Sequence, residues 1–160
     1  MKTFLPLTLK QLEQFPQEFP LFLASLGIDK LQWEKIKSKD SAKLEEVLEA
    51  FSALVWTDIL GKSEYLEHRM KDGIACYFCA EKQMHLIFIR AASLDWSSAE
   101  WYTALKEQWG QPTIDIRTGS KKYESKRVEE MYALLRNGAE VSSGELYQEL
   151  SKLLDVNSPS

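Results

Sequence analysis

The spacing of apolar residues changes period twice along the chain, from helical to alternating and back to helical. The strongest helical stripe is Leu44, Val47, Leu48, Phe51, Leu54, Val55 and Ile59. Three- and four-residue spacing of this kind predicts an amphipathic helix, here opened by Asp40 and closed by Gly61. Glu45, Glu46 and Glu49 fall off the stripe, as a solvated face requires. Three shorter helices precede it. Thr8 is placed to cap Leu9 to Phe15, which stops at Pro16; a second runs from Pro20 to Gly27; Asp29 caps a third through Lys37.

Alternation takes over in Glu64–Met70, Ile74–Ala80 and Met84–Ala91, segments rich in aromatic and β-branched residues. Asp72-Gly73 is a type I′ hairpin signal, and Glu81-Lys82-Gln83 makes a second turn. Together they predict an antiparallel three-stranded meander, which must lie on helices to be stable. Helical spacing then returns. Ser97 and Glu100 have capping-box spacing before a helix to Trp109, and Ile114 and Ile116 alternate in a short fourth edge strand over Pro112–Arg117. A helix from Ser120 to Asn137 and a last one driven by Leu146, Tyr147, Leu150, Leu153 and Leu154 complete a C-terminal helical hairpin, the second capped by Ser142 and Glu145. The expected architecture is α+β: a meander flanked by N-terminal helices and that hairpin. No linker or repeat interrupts it, so one domain over 1–155 and a disordered tail over 156–160 are expected.

Composition narrows the class. Twenty basic residues against 24 acidic ones give a net charge of −4, with 44% hydrophobic and 28% charged residues. That mix excludes collagen-like, mucin-like and wholly disordered chains. No apolar run approaches the roughly 18 residues of a membrane helix. The first ten residues are too short and interrupted for a secretory core. With only Cys76 and Cys79 there is no disulfide framework, so a reducing, cytoplasmic setting and no membrane partner are expected.

The runs Leu44-Glu45-Glu46-Val47 through Val55-Trp56, Glu64-Tyr65-Leu66-Glu67-His68, and Arg136-Asn137-Gly138-Ala139-Glu140-Val141-Ser142-Ser143-Gly144-Glu145-Leu146 resemble a family of small uncharacterised proteins from Bacteroidota, a domain of unknown function. The likeness spans Leu7 to Leu154. It implies a cytosolic, single-domain bacterial protein and carries no functional residue with it.

Candidate chemistry is sparse. Cys76 and Cys79 form a C-x-x-C, but within a strand residues three apart point to opposite faces, so no metal is reached by both thiolates. A register set by Asp72-Gly73 puts Cys79 opposite Leu66 and Cys76 opposite Arg69, and separates His68 from His85 across the sheet. Zinc-protease, Walker and Rossmann signatures are absent, so no catalytic residue, cofactor or metal is expected. Two features remain. Trp96, Trp101, Tyr102 and Trp109 form an aromatic cluster, either core or a surface for a protein partner or a second copy of the chain. Arg117 to Arg127 holds five basic residues and one acid in eleven positions. With Lys121 and Lys122 in a helical first turn, where the dipole disfavours each cation by about 0.3–1 kcal/mol, either the run is a mobile basic loop whose charges pair within the helix, for instance Lys126 with Glu130, or a bound anion compensates. In the second case Arg117, Ser120, Lys121 and Lys122 are candidate ligands for a phosphorylated small molecule or RNA end. Glu145 and Glu149 on the last helix speak against DNA. The leading expectation is a non-catalytic binding module, with the phosphate site as the alternative.

Overall fold

The computed structural model describes residues 4–155, so the tail expected over 156–160 lies outside the described residues. The backbone divides into two compact units, residues 1–59 and 60–160. The first is helical. A 3₁₀ turn at Gln11–Gln14 takes the place of the expected helix over Leu9 to Phe15, with Thr8 and Gln11 capping one another reciprocally (3.1 and 2.8 Å). Helices α1 (Glu18–Ser25), α2 (Lys30–Lys39) and α3 (Ser41–Gly61) follow. Asp29 and Gln32 form the capping box of α2, and Asp40 accepts from the Lys43 backbone N–H at the start of α3. Both acids are used as the sequence predicts. Leu12, Phe19, Leu23, Trp33, Val47 and Phe51 are buried together, with Phe19 edge-on to Trp33 and Phe51 at centroid distances of 5.2 and 4.9 Å. Inside this core the Ser52 hydroxyl accepts from the Leu7 N–H at 2.6 Å and donates to Leu48 O, so its burial leaves no polar group unmatched.

The second unit is a five-stranded antiparallel sheet with helices. Strands β1 (Tyr65–Arg69), β2 (Gly73–Cys79) and β3 (Gln83–Arg90) form the expected meander. Helix α4 (Trp101–Glu107), strand β4 (Asp115–Lys122), helix α5 (Arg127–Arg136), strand β5 (Glu140–Ser142) and helix α6 (Glu145–Leu154) complete it, in strand order β4-β3-β2-β1-β5.

Several expectations are corrected. The sheet has five strands, not three or four, and the C-terminal helices do not form a hairpin because β5 lies between them and pairs with β1. The helix expected from Ser120 starts at Arg127. Residues 118–122 extend β4 because every residue of β3 from Gln83 to Arg90 pairs with it. The Ser97–Glu100 capping box does not form: Ser97 bonds Asp95, and α4 begins after Glu100 without a side-chain cap. The meander register also moves by two residues. Arg69 pairs with Ile74, Glu67 with Cys76 and Leu66 with Tyr77, so the turn is Lys71-Asp72 and Gly73 is the first residue of β2.

A two-residue shift leaves every side chain on its expected face. One face carries Tyr65, Cys76, Ile87 and Ile89 and is covered by Leu105 of α4 and by Tyr147 and Leu150 of α6, all buried. The opposite face carries His68 and Cys79, and Lys121 there reaches Glu130 of α5. His68 and His85 therefore stand on opposite faces, and so do Cys76 and Cys79.

Both thiols are buried. Burial pushes the Cys76 thiol far up and Cys79 up to about 12 from the ordinary 9.0, although Arg127 opposes the Cys79 shift. Burial likewise raises Tyr102, Tyr123 and Tyr147 to about 12 from 10.0. In each case folding favours the protonated form. The associated stability is complete below the unfolded values of 9.0 and 10.0 and is lost as pH climbs toward 12. A urea midpoint that is level around neutrality and falls progressively above about pH 9 is expected; a midpoint unchanged to pH 11 would contradict this burial.

Candidate functional site

Three places in the fold gather chemistry. The first is the end of the sheet formed by β1 and β5, where α4 and α6 meet it. Glu67 and Arg69 project from the helix-covered face of β1, Glu140 from β5, Glu145 and Glu149 from α6, and Trp101 and Tyr102 from α4. Alternation puts Glu67 and Arg69 on one side of β1 together, and Glu145 and Glu149 share an α6 face at one-turn spacing.

Two cavities meet here. One, of about 390 Å³, is lined by Glu67, Trp101, Tyr102, Ser143, Glu145, Leu146 and Glu149. The other, of about 300 Å³, is lined by Glu67, Arg69, Ile74, Gly138 and Glu140. Glu67 belongs to both, so the two cavities flank one side chain, with four carboxylates and one guanidinium in their combined lining. The walls are held in place. Ser142 Oγ donates to Glu67 and accepts from the Gly144 N–H at 2.9 Å. Burial, together with the hydrogen bond its hydroxyl donates to Glu149, raises the Tyr102 pKa to about 12. Trp101 lies against Trp96 (5.3 Å) and Tyr102 (5.6 Å). The chain's own cations already sit over these rings: Arg69 is 5.3 Å from the Trp101 ring and Lys106 is 4.8 Å from that of Tyr102.

Of the aromatic cluster read from the sequence, Trp101 and Tyr102 line this track. Trp96 is 3% exposed, with its indole N–H bonded to Ala91 O at 2.9 Å, so it is core and not surface. Trp109 is half-buried beyond the end of α4, packed against the same core.

The second place is the basic run. Its residues do not converge. Ser120 and Lys122 alternate with Arg117 and Lys121, so the four are divided between the two faces of β4. The free N–H groups of a helical first turn are not there, because α5 begins at Arg127. Arg117 pairs with Asp115 at 3.3 Å and Lys121 with Glu130 at 2.9 Å. Glu130 gains from this: partial burial pushes its carboxyl up, but Lys121 and the Ser125 N–H outweigh that and hold it below the ordinary value. Arg127 is the run's structural member. Its guanidinium donates to Cys79 O (3.1 and 2.9 Å), Leu60 O (3.0 Å) and Ser63 O.

The third place is a pair that sequence spacing hides. Ser120 Oγ lies 2.6 Å from His85 Nδ1, brought there by the β3–β4 register. His85 is 7% exposed and stacks on Phe78, which stacks on Tyr65, so the pair ends a cross-strand ladder of rings. A serine–histidine contact can in principle make a nucleophile, but among the described residues no carboxylate orients this ring.

The helical unit also has a mainly apolar groove of about 520 Å³ between Phe15, Leu21, Phe22, Phe51 and Leu54, with Glu18, Ser25 and Asp58 also in its lining. Among the described residues no three His, Cys, Asp or Glu side chains are placed to hold a metal, and no helix is long and apolar enough to cross a membrane.

No curated protein and no solved structure matches the chain. A family model does, over residues 1–155, and by that match the protein belongs to a family of unknown function, DUF6495.

Proposed function

We propose that this protein is a non-catalytic binding module that takes a basic segment of a partner protein in the track between α4, α6 and the β1–β5 edge. The observation that carries the reading is Glu67. It lines both cavities, with Glu140 in one and Glu145 and Glu149 in the other beside Trp101 and Tyr102, so acidic groups of three elements gather around one side chain. A cationic segment laid there meets carboxylates at several points and half-buried aromatic surface between them, the composition of an interface centre. The net charge of −4 favours encounter with such a partner. A phosphorylated ligand at Arg117–Lys122 has less support, because those cations lie on two faces and two are paired with acids.

Titration calorimetry with a lysine- and arginine-rich peptide, against a glutamate-rich peptide of equal length, tests this. The basic peptide alone is expected to bind, more weakly as salt rises. The double variant Glu67→Gln, Glu149→Gln keeps side-chain shape and should weaken binding about tenfold or more, which is 1.4 kcal/mol. Equal binding of both peptides, or no effect of the double variant, overturns the reading.

A further inference from the structure

The opposite edge of the sheet is open. β4 pairs with β3 on one side only, all its residues but the half-buried Ile116 are exposed, and nothing lies within 4 Å of where a Gly119 side chain would stand. Among the described residues the outward N–H and C=O groups of Asp115–Lys122 have no backbone partner. An edge of eight residues is a template for another strand unless its charges forbid pairing.

From the pattern of those charges we infer that the occupant is a second copy of this chain, joined antiparallel through β4 on a two-fold axis at Thr118. A sheet that continues across a two-fold axis must keep each face on its own side. The axis therefore passes through a residue and not between two. Three central registers satisfy this. An axis at Arg117 sets that guanidinium against its own copy. An axis at Gly119 sets Arg117 against Lys121 of the second copy. Like charges directly opposite are destabilising, so both are disfavoured.

The axis at Thr118 reverses the balance. Thr118 faces Thr118, a favourable cross-strand pair. Arg117 faces the open Gly119, Ile116 faces Ser120, and Asp115 faces Lys121 of the second copy, twice by symmetry. Lys121 is already held on this face by Glu130 at 2.9 Å, and Asp115 already accepts from Arg117 at 3.3 Å. Each new pair thus extends an existing one into a four-member network. The charges that guard the edge against other strands select this one. The result is a ten-stranded sheet with β5 at both ends, which leaves both acidic tracks accessible. The inference is independent of the proposed function.

Sedimentation of the full chain over a concentration series tests it. The wild type should dimerise, less so in high salt. Asp115→Lys puts two lysines opposite one another, and Lys121→Asp puts two aspartates; each variant alone should stay monomeric. Mixed together they should form a heterodimer, because both contacts are then attractive, and the double variant should dimerise like the wild type. Circular dichroism checks that each is folded. As a second route, Thr118→Cys sets two thiols across the axis at a Cα separation of about 4.5–5.5 Å, within disulfide range. It should cross-link on mild oxidation, whereas Val141→Cys on β5 should not. A wild type monomeric at about 1 mM, single variants that dimerise as it does, or a mixture that stays monomeric overturns the inference.

Discussion

Arg127→Ala is expected to lower the unfolding free energy by about 3 kcal/mol and the melting temperature by roughly 6–12 °C. The guanidinium donates to three carbonyls: Cys79 O at the end of β2, and Leu60 O and Ser63 O where α3 gives way to β1. Leu60 O belongs to the last turn of α3, whose carbonyls have no partner within the helix and carry the negative end of its dipole. A planar fork with five donors can satisfy all three at once. Alanine removes these donors from a half-buried site, leaving Leu60 O the Ser63 N–H at 3.2 Å, and the Cys79 thiol loses the positive neighbour that moderates its shift. Arg127→Lys keeps the charge but presents donors from one point, so it should recover less than half of the loss. Urea unfolding of the two variants checks this. A loss below about 1 kcal/mol for alanine, the level of an ordinary exposed pair, would show that the carbonyls are satisfied without the arginine.

Gly73→Ala should be of similar effect, for a steric reason. A Cβ at this position would stand 2.3 Å from Ile89 O, with Arg90 Cα at 3.2 Å. The obstacle is backbone of the adjacent strand, paired across the sheet centre, so relief requires β2 and β3 to separate locally. A cost of about 3 kcal/mol is expected, the upper end of what overpacked cores show, because the obstacle is backbone. Gly119→Ala on β4 is the control: its Cβ meets nothing within 4 Å and should change stability by less than about 0.5 kcal/mol. Equal stability of the two variants would contradict the close approach of β3 to Gly73.

Gly73 also shows how far the sequence could be read. Next to Asp72 it looks like a turn residue, and that reading slips the hairpin register by two. In the fold it is a strand residue that must be glycine because the neighbouring backbone comes close. The slip preserved the faces, and with them the separation of Cys76 from Cys79 and of His68 from His85. Helix α3 and the meander were legible because their periodicity is sustained over many residues. β4 was not legible beyond Arg117: Thr-Gly-Ser-Lys-Lys has little strand propensity and is extended only because β3 offers it eight partners. β5 is three residues long and owes its state to β1. The acidic track was half visible. Trp101 and Tyr102 stood out as aromatic neighbours, whereas Glu67, Glu140, Glu145 and Glu149 come from three elements and meet only through the β1–β5 pairing. Glu145 read in sequence as half of a capping box with Ser142, which does not form because Gly144 is the N-cap of α6, and with Glu149 as a reason against DNA. The basic run was the most prominent signal and the least converging site, because alternation along a strand divides what a helix would have gathered.

The proposal that a cationic segment lies along the Glu67 track is tested most directly by following the five tryptophan indole N–H resonances while a lysine- and arginine-rich peptide is added. The Trp101 signal should shift and saturate, while Trp33, in the core of the helical unit, stays in place. A Trp101 resonance that does not move at saturating peptide, or five that drift together without saturation, would contradict it.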